Sequence, residues 1–260
     1  MIDGKVGFTG GYNLSDEYFD LVHPYGKWKD TGLRLEGEAV RSLTSIFLEL
    51  WYLQTREKTA AEEYLNICHR VPSEGFVQPF ADNPMEEERI AENVYMNLIH
   101  QANRSLYIIT PYLIITDEMI HALGLAAKRG VDVRIVTPGI PDKKTVYAVT
   151  RSYYAGLARQ GVRIFEYTPG FCHAKQCICD GKVVSIGTSN LDYRSLYHHF
   201  ENNVLLYGSE AVVSIAEDFE QIFRQCREVT ETYEKGHGYV MRIWQYILRL
   251  FAPLLFFVFG

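Results

Sequence analysis

The chain matches itself at one constant offset, and this internal repeat restricts the possible folds more than any other feature of the sequence. The offset is 177 positions, and it joins Asp180-Gly181-Lys182-Val183, Gly187 and Asn190 to Asp3-Gly4-Lys5-Val6, Gly10 and Asn13. Six identities in an ungapped window of eleven residues are hard to obtain by chance. The chain therefore contains two versions of one structural unit.

Composition excludes several classes of protein. The 260 residues are 47% hydrophobic and 22% charged, close to the average of globular proteins, which excludes wholesale disorder, collagen, coiled coils and polytopic membrane proteins. The 26 Lys and Arg against 32 Asp and Glu give a net charge of −6. Affinity for a phosphate backbone comes from clustered positive charge, so no nucleic-acid partner is expected.

Between the termini, the hydrophobic pattern alternates between strand and helix and predicts an α/β fold. Short apolar runs separated by helices of a dozen or more residues are typical of a mixed β-sheet flanked by helices. Asp180-Gly181 between two strand-like runs predicts a hairpin turn. Asn83-Pro84 followed by three glutamates predicts a helix start there, because a capping residue, an early proline and acidic residues all favour a helix N-terminus.

A polar motif stands just upstream of the second repeat copy. His173, Lys175 and Asp180 form the pattern His-x-Lys-x4-Asp. Positions two apart on a strand share a face, so His173 and Lys175 are expected to point into one site. Imidazole is a competent nucleophile toward phosphorus, and an ammonium can hold the negative charge of phosphoryl oxygens. The motif groups His173, Lys175 and Asp180 as the catalytic residues, with Asp180 expected to hold the hairpin turn and not to touch the substrate.

Two further residues of the second unit are predicted to support this chemistry. Asn190 offers an amide that can donate to phosphoryl oxygens. Glu201 begins the strand that follows, and we expect its carboxylate to fix the tautomer of His173 and to stabilise the imidazolium.

The motif also permits two simpler interpretations. A hairpin with an ordinary polar face would explain His173 and Lys175, although the repeat argues against it. Cys172, Cys177 and Cys179 beside His173 could suggest zinc. Same-face residues on a strand are about 6.6 Å apart, which is awkward for two sulfurs bound at ~2.3 Å to one ion. Small buried side chains are therefore favoured, and no metal is predicted.

The sequence resembles the phospholipase D superfamily, which carries a His-x-Lys-x4-Asp motif in each of two similar halves, and the bacterial cardiolipin synthases in particular. The resemblance covers essentially all of residues 1–250. The segments that carry it are Trp28–Thr31, Arg34–Gly37, Gly139–Lys144, Thr150–Tyr154, Tyr167–Phe171 and Asn190–Ser195. The resemblance implies a phospholipase D-like fold, with one complete half and part of a second. We expect residues 1–60 to be the C-terminal remnant of the first half and residues 61–82 to connect the two halves. Residues 83–235 are expected to form the complete second half with the catalytic motif, and residues 236–260 an apolar tail at the membrane interface.

The resemblance also implies a mechanism and an origin for the site residues. One motif's histidine attacks a phosphatidyl donor to give a phosphohistidine, and the other motif's histidine protonates the leaving alcohol. Donor and acceptor are both phosphatidylglycerol, and no cofactor takes part. Asn13 and Asp30 correspond to supporting residues of the first half, with Asp30 as the partner of that half's histidine. Arg194 could bind a lipid phosphate, and a solvated loop charge would explain it equally well.

The sequence departs from the family pattern at its start. The His and Lys of the first motif would precede Met1, and so would the transmembrane segments of full-length members. We therefore expect a C-terminal piece of a cardiolipin synthase. Such a piece should be feebly active unless a homodimer brings two copies of His173 together, because losing one member of a cooperating catalytic group costs about 10⁴- to 10⁶-fold in turnover.

The C-terminal residues and the cysteines predict the location of the chain. Residues 250–259 are an apolar run about half the ~20 residues needed to cross a bilayer, and Arg242, Trp244, Tyr246 and Arg249 precede it. This segment could contact the membrane interface or pack on the domain, and the pattern favours contact with the membrane. Five cysteines, mostly in core-like segments, favour a reducing compartment. A peripheral position on the cytoplasmic side of a bacterial membrane is expected.

Two other functions remain as alternatives to phosphatidyl transfer. The same motif hydrolyses nucleic acid or other phosphodiesters in some members of the superfamily. A non-catalytic chain that binds only a membrane or a partner is the second. The acidic composition argues against a nuclease, and the apolar C-terminus favours a lipid.

Overall fold

The structure is a computed structural model, and it describes residues 1–57, 59–67, 69–72, 74–235 and Leu248. The strands are β1 (Val6–Gly10), β2 (Gly32–Glu36), β3 (Phe76–Asp82), β4 (Ser105–Ile109), β5 (Asp132–Pro138), β6 (Arg163–Tyr167), β7 (Gln176–Cys179), β8 (Val183–Gly187), β9 (Glu201–Tyr207) and β10 (Cys226–Glu228). The helices are α1 (Ala39–Thr55), α2 (Ala61–Leu65), α3 (Ile90–Gln101), α4 (Asp117–Lys128), α5 (Lys144–Ala158), α6 (Tyr193–Tyr197), α7 (Glu210–Phe223) and α8 (Thr230–Glu234). The predicted tail over 236–260 lies outside the described residues, apart from Leu248.

An eight-stranded mixed sheet organises the fold, in the order β10-β6-β5-β4-β7-β8-β9-β3. The strands β4, β5 and β6 run parallel, and every other neighbouring pair is antiparallel. Two apolar clusters lie on opposite faces, since Ile108 and Ile135 belong to one cluster and Ile109 and Val136 to the other. The predicted α/β fold with a mixed sheet and flanking helices is confirmed.

The internal repeat is visible in the backbone. β1 and β8 occupy positions that differ by the offset of the sequence repeat, and each pairs antiparallel with the strand that follows it. The Asp-Gly pair before each strand adopts the same left-handed turn, with φ of 49° and 62° at Asp3 and Gly4 and of 53° and 66° at Asp180 and Gly181. The first unit thus contributes a β-β-α piece, β1-β2-α1, that corresponds to β8-β9-α7.

Two local features differ from the sequence-based expectation. The helix predicted to start at Asn83-Pro84 begins instead at Ile90, because Asn83 closes a turn by accepting from the amide of Met85 at 3.0 Å. The free amide of Ala91 is capped by the Asp82 carboxylate, with both oxygens 3.1 Å away. In addition, the connection predicted over residues 61–82 contains the edge strand β3, where an edge position tolerates its proline, Pro79.

The first unit packs directly against the sheet of the second. Leu35, Val40 and Leu43 share an apolar cluster with Val184 and Ile186 of β8. This packing brings the loop between β1 and β2 next to His173, which precedes the interior strand β7. Among the described residues, no helix is long and apolar enough to span a bilayer.

Candidate active site

A short backbone pairing joins the two units at the site. The amide of Lys29 donates to the carbonyl of Phe171 at 3.0 Å, and the amide of His173 donates to the carbonyl of Lys29 at 2.7 Å. Gly170 makes this approach possible, because a Cβ there would lie 2.3 Å from the carbonyl oxygen of Lys27. The pairing delivers Asp30, the next residue of the first unit, to the side chain of His173.

His173 and Asp30 form the central contact of the site. Nδ1 of His173 lies 2.7 Å from Oδ2 of Asp30, and both side chains are largely buried. Burial would raise the pKa of Asp30, but the hydrogen bond with His173 and the charge of Lys175 lower it below its usual value. An ionised carboxylate can only accept, so Nδ1 carries the proton and the lone pair of the ring lies on Nε2. Burial lowers the pKa of His173 further than Asp30 raises it, so the imidazole is neutral at neutral pH.

The predicted pairing of Glu201 with His173 is wrong, because Asp30 occupies that position. Glu201 is instead bonded by the Thr188 hydroxyl, and its carboxylate lies 3.8 Å from Nδ1 of His199. Burial raises the pKa of Glu201 to about 7. Glu201 is therefore a carboxyl group able to exchange a proton near neutral pH, on another part of the same pocket.

Lys175 lies beneath the imidazole of His173. Its Nζ is 2.7 Å from both ring nitrogens and also donates to the backbone carbonyl of His173. Burial lowers the pKa of Lys175 to about 8, against the opposing effect of the Asp30 and Glu201 charges. The ammonium is thus charged at neutral pH and lies next to the lone pair of Nε2. The expected juxtaposition of His173 and Lys175 is present in the structure.

Asp180 does not line the pocket, although the motif groups it with His173 and Lys175. Its carboxylate accepts hydrogen bonds from the backbone amides of Asn103, Arg104 and Ser105 at 2.7–3.2 Å. Burial would raise its pKa, and these amides lower it instead. Asp180 ties the β7–β8 turn to the start of β4, in agreement with its expected role at the turn.

A polar pocket of about 510 Å³ opens above His173. It is lined by further residues that the sequence singles out: Asn13, Asn190, Arg194 and Glu201. Asn13 donates to the hydroxyl of Tyr18 at 2.9 Å, and Nε of Arg194 donates to His199 at 2.6 Å. Within the described part of the chain, Oδ1 of Asn190 is buried without a hydrogen-bond partner. The pocket thus gathers both cationic and acidic groups around the imidazole of His173.

Aromatic side chains form one wall of the pocket, and the sequence-based reasoning did not predict this. The rings of Tyr18 and Trp28 each lie 5.3 Å from the His173 ring, and Trp28 also contacts Phe171 at 4.9 Å. Tyr25 lines the same wall. The concentration of aromatic residues between Tyr18 and Trp28, just before Asp30, was the available signal. These rings exclude water from the imidazole, which accounts for its lowered pKa.

The site can support nucleophilic attack by nitrogen on an electrophilic centre that carries negative charge. Nε2 of His173 supplies the lone pair, Asp30 can stabilise the cationic imidazole that forms, and Lys175 can hold developing charge. Among the described residues, no cluster of three or more His, Cys, Asp or Glu is arranged to hold a metal ion. Cys172, Cys177 and Cys179 are buried free thiols that pack in the apolar clusters.

Two curated proteins are similar in sequence to nearly the whole chain. A protein of Streptococcus mutans is 44% identical over 255 residues, which are 98% of this chain and 55% of the relative. The cardiolipin synthase of Geobacillus thermodenitrificans is 39% identical over 256 residues, which are 98% of this chain and 51% of that protein. The chain spans about half the length of these curated relatives.

A solved structure and a family model match as well. The crystal structure of phosphatidylserine synthase from Haemophilus influenzae superposes with a TM-score of 0.69 at 15% identity, over 96% of this chain and 67% of that one, and so shares the fold. Residues 95–225 match the family model described as cardiolipin synthase, phospholipase D-like domain. Because that match takes in half of the chain, including His173 and Lys175, the chain belongs to the cardiolipin synthase family of phospholipase D-like domains.

Proposed function

We propose that this chain carries out phosphatidyl transfer in phospholipid biosynthesis, condensing two phosphatidylglycerol molecules to cardiolipin and glycerol. The observation that carries the proposal is the arrangement of Asp30, His173 and Lys175. It gives a neutral imidazole whose proton is fixed on Nδ1 and whose Nε2 lone pair lies beside an ammonium. Membership of the family supports the choice of a phosphatidyl group as the transferred group.

The first step forms a covalent intermediate on His173. Nε2 attacks the phosphorus of one phosphatidylglycerol, so that a P–N bond forms and the P–O bond to the glycerol headgroup breaks. Lys175 holds the charge that develops on the phosphoryl oxygens, and Asp30 stabilises the cationic phosphohistidine. The departing alkoxide takes up a proton and leaves as glycerol.

The second step transfers the phosphatidyl group to an acceptor. A hydroxyl of the second phosphatidylglycerol attacks phosphorus, the P–N bond breaks, and the hydroxyl proton returns to the group that protonated the leaving glycerol. One His173 cannot be nucleophile and acid at once. We infer that the acid is the histidine of a second motif, and that a second copy of this chain in a homodimer can supply it.

The crossed pairing of carboxylate and histidine suggests how the second histidine is held. Asp30 of the first unit contacts the histidine of the second unit. By strand register, Glu201 has the place in the second unit that Asp30 has in the first. Glu201 is therefore suited to contact the histidine of a first-half motif, and its pKa of about 7 fits a group that shares a proton. Asn190 and Asn13 would donate to phosphoryl oxygens, and Arg194 would bind the phosphate of the acceptor lipid.

These roles place the chain at a lipid surface. Phosphatidylglycerol is the proposed substrate, and a peripheral position on the cytoplasmic side of a bacterial membrane is the proposed location. The pocket wall carries Glu17, Asp142, Asp192 and Glu201. These acidic groups would repel a polyanion, which supports a lipid over a nucleic acid as substrate.

Product analysis on vesicles tests the proposal. Phosphatidylglycerol vesicles incubated with the full chain should yield cardiolipin and glycerol in equal amounts, resolved by thin-layer chromatography and a glycerol assay. His173→Ala should abolish both products. His121→Ala, at an exposed position on α4, should leave them unchanged and serves as the matched control.

Two results would contradict the proposal. Cleavage of single-stranded DNA without any lipid product would identify a nuclease. The same lipid products from His173→Ala would place the chemistry elsewhere.

A series of protein concentrations tests the homodimer, because turnover per chain should rise with the fraction of dimer measured by sedimentation.

A further inference from the structure

An exposed apolar surface lies on the loop between β1 and β2. Four large apolar side chains within nine residues are open to solvent: Leu14 is 97% exposed, Phe19 56%, Leu21 71% and Val22 45%. We refer to these four residues as the loop patch. Clustered exposed apolar side chains of this kind mark surfaces that bind a partner or a membrane.

Backbone hydrogen bonds hold the loop patch in a defined shape. The residues Asp16–Phe19 form a single 3-10 turn. The amide of Tyr18 donates to the carbonyl of Ser15 at 3.1 Å, and the amide of Leu21 donates to the carbonyl of Asp16 at 3.1 Å. The exposure of the apolar side chains is therefore built into a hydrogen-bonded turn.

The loop patch alternates along the chain with residues that line the catalytic pocket. Asn13 lines the pocket and Leu14 belongs to the patch; Glu17 and Tyr18 line the pocket and Phe19 belongs to the patch. Consecutive residues thus face the pocket and the solvent. The patch is part of the rim of the pocket.

If the substrate is a phospholipid, as the proposed function has it, its acyl chains need an apolar surface at this rim. The pocket measures about 510 Å³ and is lined mainly by polar groups, so it suits a phosphate and its headgroup. A cavity of that size is roughly 8 Å across, whereas an acyl chain spans about half of the ~30 Å hydrocarbon core of a bilayer. The acyl chains must therefore stay outside, next to the rim.

We propose that the loop patch inserts into the boundary between headgroups and acyl chains and thereby seats the pocket on the bilayer. The contact is apolar, because the same loop carries Asp16, Glu17 and Asp20, which offer no attraction to anionic lipid. The contribution of the patch to binding should therefore be equal on neutral and anionic vesicles and should persist at high salt.

Vesicle binding by the full chain tests the proposal. The variant Leu14→Ser/Leu21→Ser should bind phosphatidylcholine vesicles more weakly by about tenfold or more for each leucine removed. Leu125→Ser/Val213→Ser changes exposed apolar residues on α4 and α7, outside the pocket lining, and should bind like the wild type. The measurement is co-sedimentation at low and high salt.

A fluorescence measurement locates the contact. The variant Leu14→Trp adds one fluorophore at the loop patch. Its emission, taken as the difference from the wild type, should shift to the blue on vesicles and be quenched by lipids with brominated acyl chains. The emission added by Leu125→Trp should be unchanged by the same vesicles.

Several outcomes would overturn the proposal. Equal vesicle binding by Leu14→Ser/Leu21→Ser and the wild type would exclude the patch from the membrane contact. A blue-shifted Leu14→Trp emission without vesicles, or a loss of self-association in the serine variant without loss of vesicle binding, would show that protein covers the patch. These readouts need no turnover, so a chain that binds through the patch but makes no cardiolipin would refute the proposed function alone.

Discussion

Nδ1 of His173 contacts a carboxylate, and this contact determines what the residue can do. Asp30 fixes the proton on Nδ1, while Lys175 places positive charge beside Nε2. A buried neutral imidazole in this orientation can act as a nucleophile at physiological pH, and the same carboxylate would stabilise the cation formed by its attack. Both features depend on Asp30, which belongs to the other structural unit.

Replacing Asp30 by Asn should disable His173 in a measurable way. The neutral amide no longer raises the pKa of His173, so that pKa should fall further below its usual value while the fold is kept. The rate of attack on phosphorus should drop about 10²- to 10⁴-fold, as expected when the carboxylate behind a catalytic histidine is lost. NMR titration of the ring nitrogens and single-turnover kinetics measure the two effects.

Glu201→Gln is the matched control for this substitution. It removes a second buried carboxylate from the same pocket, but one that does not contact His173. The pKa of His173 should therefore respond far less to Glu201→Gln than to Asp30→Asn. The reverse ranking would show that Glu201 is the partner of His173 after all.

Lys175 should set the alkaline limit of the reaction. Its pKa is lowered to about 8 by burial, so the ammonium is present below that pH and is lost above it. With a p-nitrophenyl phosphodiester, whose leaving group needs no proton, the rate should fall about tenfold per pH unit above pH ~8. On the acidic side, the lowered pKa of His173 keeps the nucleophile neutral below its usual value of about 6.5.

Lys175→Arg separates this assignment from a general effect of pH. Arginine stays protonated through the alkaline range, so this slower variant should show no alkaline fall. The control variant Lys182→Arg, at the exposed hairpin turn, should still show the fall in rate above pH ~8. An alkaline fall that persists in Lys175→Arg would assign it to another group.

At the scale of single residues, the sequence predicted the motif pair but not its partner. His173 and Lys175 could be placed together because the strand period puts positions two apart on one face. Asp30 could not be matched to His173 in this way, because 143 residues separate them in the chain. Glu201 was expected to pair with His173 because it begins the strand that follows the motif, whereas in the fold the partner comes from the other unit.

Among the elements, the decisive one is the short backbone pairing of residues 26–30 with residues 170–173. It carries no long strand and has no periodic pattern that a sequence would show. Its requirement is a close approach of two backbones at Gly170, where a Cβ would lie 2.3 Å from one backbone atom of Lys27 and 2.4 Å from another. The position of Asp30 therefore depends on a glycine outside the motif.

Gly170→Ala should displace Asp30 without touching any catalytic side chain. The added methyl group forces the two backbones apart, at a cost of about 1–3 kcal/mol in the free energy of unfolding. The pKa of His173 and the rate of attack should then change in the same direction as in Asp30→Asn. Denaturant unfolding and NMR titration of His173 provide the two readouts.

Gly181→Ala distinguishes this effect from a loss of stability alone. A Cβ at Gly181 meets no atom within 4 Å, but the residue has φ of 66°, so alanine should cost about 1–2 kcal/mol. The pKa of His173 should not move. If both glycine variants shifted that pKa equally, the pairing at Gly170 would not be what positions Asp30.

The elements that the sequence predicted well are those with local causes. The hairpin turn at Asp180-Gly181 was predicted from turn chemistry, and the structure shows the left-handed conformation it requires. The start of α3 was misplaced because Asn83 and Asp82 compete for the same role, and the tertiary position of Asp82 decides the outcome. The edge strand β3 was missed because Pro79 is acceptable only at a sheet edge, which a sequence does not show.

For the whole molecule, the repeat anticipated two related units, and the structure adds that the candidate active site lies where they meet. The first unit contributes Asp30, Asn13 and the aromatic wall, and the second contributes His173, Lys175 and Glu201. The similarity of β1 to β8 was readable from the sequence because it preserves residue identities. The contacts between the units could not be predicted from the sequence, because they depend on packing between segments that share no sequence pattern.

Trapping of the covalent intermediate tests the central claim, that His173 supported by Asp30 is the nucleophile toward a phosphatidyl group. The full chain is mixed with a p-nitrophenyl phosphatidyl ester, quenched in alkali, where phosphohistidine is stable, and analysed by peptide mass spectrometry. The account predicts a phosphatidyl adduct on the peptide that contains His173, absent from His173→Ala and formed about 10²- to 10⁴-fold more slowly by Asp30→Asn. An adduct on any other residue, or no adduct in the wild type under conditions of turnover, would contradict it.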